Sequence, residues 1–223
     1  MVKNPLWLLL LFFGFVSCHD KPTFPITPKI SLNNYYFVAG KENTDQDTLF
    51  ISLKFEDGDG DLGLGSTETA PPYQEYDFVV NGFDTLRIGD NDTLPEFNCY
   101  NYQVFTQTIS VGGSYFVKAD TFYVIRNANY YNYFLDFYTK EDDGFVEYDT
   151  WGHNICNPFD GRFFELNTVG DVRPLTGDLE FKVVASFRIP FRYETLKLRI
   201  QIQDRALHKS NILETDEFSI MDI

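Results

Sequence analysis

The stretch TLFISLKFED, residues 48–57, decides the fold class. Every second residue from Leu49 to Phe55 is apolar, whereas the positions between them include Ser52, Lys54 and Glu56. Successive side chains of a strand point to opposite faces, so this period of two predicts a half-buried antiparallel β-strand. The stretches DLEFKVVASF (178–187) and TLKLRIQIQD (195–204) repeat the pattern.

Weaker strand patterns fill most of the remaining chain. They lie near 34–38, 76–81, 103–111, 115–125, 131–139 and 213–221. Turn clusters such as SVGGS and KEDDG separate several of them, and no helical periodicity of useful length is found. Roughly nine to eleven short strands predict an all-β fold, an immunoglobulin-like antiparallel β-sandwich.

The middle of the chain, about 85–175, is irregular and rich in aromatic residues. It is either a long insertion within one sandwich or a second small β unit. We favour the insertion, which gives a single β-sandwich domain over 30–223.

The N-terminal residues carry an export pattern. After Lys3, the run LWLLLLFFGFV (6–16) has the length of a signal-peptide core and is short for a spanning helix. Ser17 and Cys18 follow, and this end resembles a bacterial lipobox, in which the cysteine becomes lipidated; Phe15 stands where the pattern prefers Leu. The resemblance implies a signal peptide over 1–18 and lipidation of Cys18. An ordinary cleaved signal and an uncleaved anchor are the alternatives.

The segment after Cys18 is rich in proline, and the chain as a whole is strongly acidic. Residues 19–29 contain three prolines and predict an extended tether. The chain has 18 Lys and Arg against 33 Asp and Glu, a net charge of -15, and removal of 1–18 takes away only Lys3. Such a chain repels nucleic acid, so we expect no nucleic-acid partner, and its expected small partners are cations.

Two cysteines remain after Cys18, namely Cys99 and Cys156. An exported protein meets an oxidising compartment, where the two could form a disulfide bond. Two free buried thiols are the alternative.

The stretch FEDGDGDLGLG (55–65) places Asp57, Asp59 and Asp61 directly after the first strong strand. Gly58 and Gly60 supply the positive φ that a tight loop needs. Oxygen ligands at this density are typical of a Ca²⁺ site, and three carboxylates would otherwise repel one another. The alternative is a solvated acidic turn.

The loop is not an EF-hand, although Glu68 stands at the twelfth position counted from Asp57. Leu62 occupies the sixth position, where an EF-hand has glycine, and a strand precedes the loop instead of a helix.

A second stretch, IQDRALHKSNILET (202–215), completes the predicted site. It resembles the last hairpin of cadherin-like and bacterial immunoglobulin-like domains. If 48–56 is strand B and 195–203 is strand F, the loops that follow them lie at the same end of the sandwich. Asp204 and Asn211 would then join the three aspartates as Ca²⁺ ligands. A turn-forming role is the alternative for Asp204.

The stretch NANYYNYFLDFYTK (127–140) is the most aromatic part of the chain. Its alternation predicts that Tyr131, Tyr133, Leu135 and Phe137 face the core. The other face would carry Tyr130, Phe134 and Tyr138, which could stack on a sugar. A strand buried on both faces is the interpretation that we prefer.

Taken together, the lipobox, the tether, FEDGDGDLG and DRALHKSN resemble uncharacterised Bacteroidetes-type exported lipoproteins. The stretches NPFDGRFFEL (157–166) and PLTGDLEF (174–181) resemble them too. The resemblance implies a lipid-anchored protein of the bacterial envelope, at the outer membrane, and brings no activity. It leaves surface and periplasmic exposure open.

No catalytic motif is present, and the three histidines are isolated in the sequence. We therefore expect a non-catalytic envelope protein whose β-sandwich is stabilised by calcium and serves a binding or structural role. The alternatives are a carbohydrate-binding component of a surface uptake system and, third, a hydrolase on a β scaffold.

Overall fold

The computed structural model describes residues 23–41, 46–151, 158–168 and 170–223. The signal peptide, Cys18, the first residues of the tether and Cys156 lie outside these residues. The strands are β1 (Lys29–Val38), β2 (Asp47–Asp57), β3 (Tyr76–Phe78), β4 (Val80–Asn81), β5 (Asp84–Thr85), β6 (Tyr102–Val111), β7 (Ser114–Arg126), β8 (Tyr133–Glu141), β9 (Gly144–Glu147), β10 (Leu175–Ala185), β11 (Leu196–Ile202) and β12 (Leu213–Glu214). A single turn of helix, α1 (Arg188–Phe191), is the only helix in this part of the chain.

Two antiparallel sheets form the sandwich. One has the order β1-β2-β10 and the other β12-β11-β8-β9. These are the orders A-B-E and G-F-C-C′ of an immunoglobulin-like sandwich, with β2 as strand B and β11 as strand F. The predicted all-β sandwich is confirmed.

The core follows the alternation that the sequence predicted. In β2, Ile51 and Leu53 are fully buried, and in β11 Leu198 and Ile200 are fully buried. Each such side chain contributes about 1.5–3 kcal/mol through removal of apolar surface from water. Across the two sheets the rings of Tyr133 and Phe181 stack with centroids 4.5 Å apart, and Tyr35 meets Phe218 edge-on at 5.1 Å.

One end of the core is built from phenylalanines. The ring of Phe137 in β8 stacks on Phe191 of α1 at 4.9 Å, and Phe159 stacks on Phe187 at 5.2 Å. Phe187 and Phe191 are almost completely buried, so the short helix closes the sandwich at this end.

The predicted insertion of about 85–175 contains two different parts. Strands β8 and β9 are members of the second sandwich sheet, whereas β6 and β7 form a separate hairpin that pairs with β3. The segment between β2 and β8 therefore lies outside the sandwich sheets, and it begins before residue 85. One face of β8 belongs to the core, because Tyr133, Leu135 and Phe137 are buried in alternation, whereas Phe134 and Tyr138 on the other face are half-buried.

Among the residues that the structure describes, no helix has the length and apolar character needed to cross a membrane.

Candidate metal centre

The loops that follow β2 and β11 lie side by side, as the sandwich topology predicted. Leu62 and Asp204 form an isolated antiparallel bridge, and the Arg205 amide donates to the Asp61 carbonyl at 3.3 Å. The Ala206 amide donates to the Asp61 carboxylate at 3.0 Å. Backbone contacts thus fix Asp61 against the end of β11.

This arrangement brings together four of the five predicted ligands. Asp57, Asp59, Asp61 and Asp204 each offer a carboxylate oxygen, and these four oxygens lie within 4.8 Å of one another. A Ca²⁺ ion holds its oxygens at about 2.3–2.6 Å, so oxygens on opposite sides of the ion are about 5 Å apart. The four oxygens therefore fit within one calcium coordination shell.

Asp57 is the deepest of the four ligands. Its side chain is 0% exposed, and neither of its carboxylate oxygens has a hydrogen-bond partner among the described residues. One oxygen each of Asp59 and Asp61 is also buried without a partner. Ionised carboxylates are acceptors only, so the neighbouring aspartates cannot donate to Asp57. A buried charge with no donor is costly unless a cation compensates it.

The proton affinities reflect this burial. Desolvation, followed by the charges of Asp59 and Asp61, raises the pKa of Asp57 to about 7. Desolvation, followed by the charge of Asp204, raises the pKa of Asp61 to about 6. Burial also raises the pKa of Asp204, although hydrogen bonds from His208 oppose the shift. Four carboxylates at this spacing thus disfavour full ionisation.

Asp204 is held by its own turn. The His208 amide donates to one carboxylate oxygen at 2.7 Å, and the His208 ring nitrogen Nδ1 lies 2.9 Å from the other. The hydrogen bond to Asp204 raises the pKa of the His208 side chain. Each oxygen of a carboxylate has a second lone pair, so Asp204 can accept these hydrogen bonds and still contact an ion.

No protein-family model, curated protein or solved structure matches this chain. The case for the centre therefore rests on the geometry of the chain itself.

The glycines of the loop have different roles. Gly60 has a φ of +72°, and a Cβ there would lie 2.1 Å from the Arg173 carbonyl oxygen. Gly58 lacks the positive φ that the sequence suggested; its amide donates to the Pro25 carbonyl at 2.9 Å, and a Cβ would meet that backbone. Gly58 is thus needed for close approach, and Gly60 for both approach and φ.

The loop is also held from the side opposite β11. The Arg173 amide donates to the Asp59 carbonyl at 3.2 Å, and the Leu64 amide donates to the Phe163 carbonyl at 3.0 Å. Leu62 and Leu64 are buried, so they anchor the loop in the core. The carboxylates are therefore fixed by backbone contacts on several sides.

Asn211, the fifth predicted ligand, is engaged with β1. Its Oδ1 accepts from the Ile30 amide at 2.8 Å, and its Nδ2 donates to the Ile30 carbonyl at 3.0 Å. This pairing ties the turn before β12 to the start of β1.

Glu68 makes an ion pair with Arg205 through both carboxylate oxygens, and it accepts from the Gly65 amide. Its pKa is lowered, chiefly by the hydrogen bond from Arg205. This engagement agrees with the rejection of an EF-hand.

Two of the three predicted stacking residues line one cleft. This aromatic cleft has a volume of about 290 Å³ and is lined by Tyr100, Tyr130, Tyr131, Phe134, Trp151 and Lys209, among others. The Lys209 ammonium lies 4.3 Å from the centroid of Phe134, and the Arg162 guanidinium lies 5.2 Å from that of Tyr130. The sequence did not indicate Tyr100 or Trp151, which reach the cleft only through the fold.

Tyr138 lies apart from the cleft. Its ring is covered by the guanidinium of Arg199 at 5.0 Å, and Arg199 also donates to its hydroxyl at 2.9 Å. The hydroxyl in turn donates to Glu147 at 3.1 Å. The predicted face of Tyr130, Phe134 and Tyr138 is therefore divided between two places.

An acidic groove of about 200 Å³ adjoins the cleft, with Asp136, Glu147, Asp149 and Asp160 among its lining residues. Burial raises the pKa of Asp160 to about 6, and the Leu135 amide donates to one of its oxygens at 2.9 Å.

The Cys99 side chain takes part in a disulfide bond. Cys156, the predicted partner, lies outside the described residues, so the pairing of the two remains a prediction.

Proposed function

We propose that this protein is a non-catalytic, lipid-anchored component of the bacterial envelope whose β-sandwich is stabilised by a bound Ca²⁺ ion. The ion would be held by Asp57, Asp59, Asp61 and Asp204. The stabilised end of the domain would serve a binding or structural role.

One observation carries the proposal. Asp57 is completely buried, both of its oxygens lack a donor in the part of the chain that the structure describes, and three further carboxylates lie beside it. A carboxyl group in such a place either takes up a proton and becomes neutral or stays ionised beside a bound cation. The backbone contacts of the loop hold the four carboxylates together. A divalent cation that prefers oxygen ligands fits this arrangement best.

The location in the envelope rests on the sequence. The apolar run before Cys18 and the proline-rich segment after it are typical of an exported, tethered protein. The acidic composition suits a compartment in which divalent cations are the available small partners.

Thermal unfolding of the chain from residue 19 tests the ion site. This form retains every strand that the structure describes. Calcium at about 100 times its dissociation constant stabilises a folded state by about 2.7 kcal/mol, which raises Tm by roughly 5 to 10 °C for a chain of this size. The double variant Asp59→Asn with Asp61→Asn should abolish this increase.

A matched control removes two acids from elsewhere. Asp142 and Asp143 lie exposed in the turn between β8 and β9, so Asp142→Asn with Asp143→Asn changes the net charge equally. This variant should retain the full calcium response. An equal Tm in calcium and in chelator for the unmodified chain would contradict the proposal.

A second candidate is a carbohydrate-binding role for the aromatic cleft. It is favoured by Tyr130 and Phe134, which line the same concave site with Tyr100 and Trp151. Aromatic rings beside polar groups bind sugar faces. On a glycan array, Tyr130→Ala and Phe134→Ala should each lose binding, whereas Tyr138→Ala, outside the cleft, should retain it. If the unmodified chain binds no glycan on a broad array, this role is contradicted.

A further inference from the structure

The outer part of the hairpin of β6 and β7, from Val104 to Ala119, is exposed on both faces. Its residues include seven large apolar side chains that are exposed. Ile109, Val111 and Phe116 lie toward one face near the tip, whereas Tyr115 and Val117 lie toward the other. Exposed apolar surface of this kind marks an interaction site.

The outer edge of β6 is uncovered as well. Within the described residues, β6 pairs with β7 alone, whereas the other edge of β7 is covered from Thr121 to Arg126 by β3 and by backbone contacts of residues 79 and 86–88. The Tyr102 amide donates to Asn98 and the Tyr123 amide to Leu86, so these two opposed residues do not exchange backbone hydrogen bonds. Pairs that exchange backbone hydrogen bonds alternate with pairs that do not along an antiparallel ladder. The N–H and C=O groups of every second residue of β6 therefore point away from β7, namely those of Val104, Thr106, Thr108 and Ser110.

None of the usual protections is present on this edge. The fifteen residues from Gln103 to Val117 contain no charged residue and no proline, and the pairing of β6 with β7 has no bulge. The first charges after this stretch, Lys118 and Asp120, pair with each other at 3.1 Å. Natural proteins use charges, prolines or bulges to prevent strand addition at an exposed edge.

We propose that β6 pairs edge to edge with β6 of a second copy of this chain, which forms a symmetric dimer. The strand is self-complementary about its centre, Gln107. In an antiparallel pair with Gln107 on the twofold axis, Phe105 faces Ile109 of the copy and Thr106 faces Thr108 of the copy. Aromatic with β-branched and Thr with Thr are favourable cross-strand pairs. The outward backbone groups of Thr106 and Thr108 then bond to each other across the axis.

Charge favours a second copy over a lipid surface. Two chains with a net charge of -15 repel through most of their surfaces, but β6 contains no charged residue, so its edge adds no repulsion at the contact. A bilayer would leave the outward N–H and C=O groups of the edge without partners, at a cost of several kcal/mol each. The dimer is independent of the proposed ion site.

Sedimentation velocity of the chain from residue 19 tests the dimer. We expect a monomer–dimer equilibrium that depends on protein concentration. Thr108→Pro removes an outward N–H and leaves the hydrogen bonds to β7 intact, so self-association should weaken by about tenfold or more. Thr106→Lys with Thr108→Lys, which opposes like charges across the axis, should have the same effect. Thermal unfolding identifies any variant that fails to fold.

Cysteine cross-linking tests the register. Residues opposed without backbone hydrogen bonds have Cα atoms about 4.5 Å apart, which suits a disulfide bond. Gln107→Cys should therefore link two copies on oxidation, whereas Val111→Cys, on the same face and away from the axis, should not. The proposal is overturned if the chain sediments as a monomer at all concentrations and Gln107→Cys forms no disulfide between copies. Equal cross-linking of Gln107→Cys and Val111→Cys would also overturn it. If the chain is monomeric and co-floats with phosphatidylcholine vesicles, the hairpin binds a lipid bilayer and the dimer proposal is wrong.

Discussion

The aspartate loop and the β6–β7 hairpin are opposite departures from a well-packed protein. Among the described residues, the loop buries carboxylate oxygens that have no hydrogen-bond donor, whereas the hairpin exposes apolar side chains and strand-edge backbone groups that nothing covers. Folding alone leaves neither arrangement favourable, because buried carboxylates and exposed apolar edges both cost free energy. Each arrangement therefore motivates one of the two proposals, a bound cation for the loop and a second copy of β6 for the hairpin.

The largest expected effect separates the sandwich from the hairpin. Ile200 in β11 is fully buried, whereas Val117 in β7 is 72% exposed. Ile200→Ala should lower the free energy of unfolding by about 4 kcal/mol, because it removes core contacts and leaves a cavity. Val117→Ala should change it by about 0.5 kcal/mol or less. Urea unfolding of both variants measures the difference, and equal losses would show that the hairpin tip is packed in solution.

A smaller effect compares two glycines with positive φ. Gly60 in the aspartate loop faces the Arg173 carbonyl, whereas Gly112 at the hairpin turn has nothing within 4 Å of a Cβ. Gly60→Ala should cost about 3 kcal/mol, since it adds a backbone clash to the φ strain. Gly112→Ala carries only the strain and should cost about 1 kcal/mol. Similar Tm values for the two variants would mean that the loop relaxes easily.

The pH dependence of stability sharpens the contrast further. The pKa of Asp57 is raised to about 7 in the folded chain, above its ordinary 3.8, so the folded state retains a proton that the unfolded state releases. In chelator, stability should therefore be greatest near pH 4 to 5 and should fall by about 3 kcal/mol as pH rises to 8. With saturating calcium the decrease should be much smaller, because the ion replaces the proton.

Asp57→Asn is the control for the pH measurement. It removes the titrating group at constant size, so the chelated variant should lose much of the pH dependence. The part that remains is assigned to groups such as Asp160, whose pKa is also raised by burial. A wild-type curve in chelator that rises from pH 5 to 8 would contradict the assignment.

The smallest expected effect concerns Glu68. Glu68→Gln removes the ion pair with Arg205, which is partly exposed, and should cost about 1 kcal/mol. It should leave the calcium-induced increase in Tm unchanged, because this carboxylate is engaged with Arg205. Loss of the calcium response in this variant would place Glu68 among the ligands and revise the site.

The sequence predicted those parts of the molecule that depend on local pattern. The alternation of Leu49, Ile51, Leu53 and Phe55 predicted β2 and its buried face, and the topology then placed Asp204 beside the aspartate loop. It did not indicate contacts between residues that are far apart in the chain. The engagement of Asn211 depends on Ile30, 181 residues away in sequence, and the cleft depends on Tyr100 and Trp151. No spacing along the chain records such contacts.

The predicted limits of the insertion differ from those of the segment that lies outside the sandwich sheets. The predicted insertion of about 85–175 includes β8, yet three of its side chains are core residues of the sandwich. The alternation of Tyr133, Leu135 and Phe137, which the sequence did indicate, was a better guide than aromatic content. The other face of β8 is only half-buried, so the preferred interpretation of burial on both faces is wrong. The exposed hairpin could not be recognised, because its strand pattern is the same as that of a strand inside a sheet.

The contacts of residues 25 and 30 have a mechanical consequence. The Gly58 amide holds the Pro25 carbonyl, and the Asn211 amide holds both backbone polar atoms of Ile30 at the start of β1. A pull on the N-terminal segment therefore loads these short contacts before it shears the long pairing of β1 with β2. The chain enters the domain beside the aspartate loop, so tension on the N-terminal segment reaches the loop of the four carboxylates first.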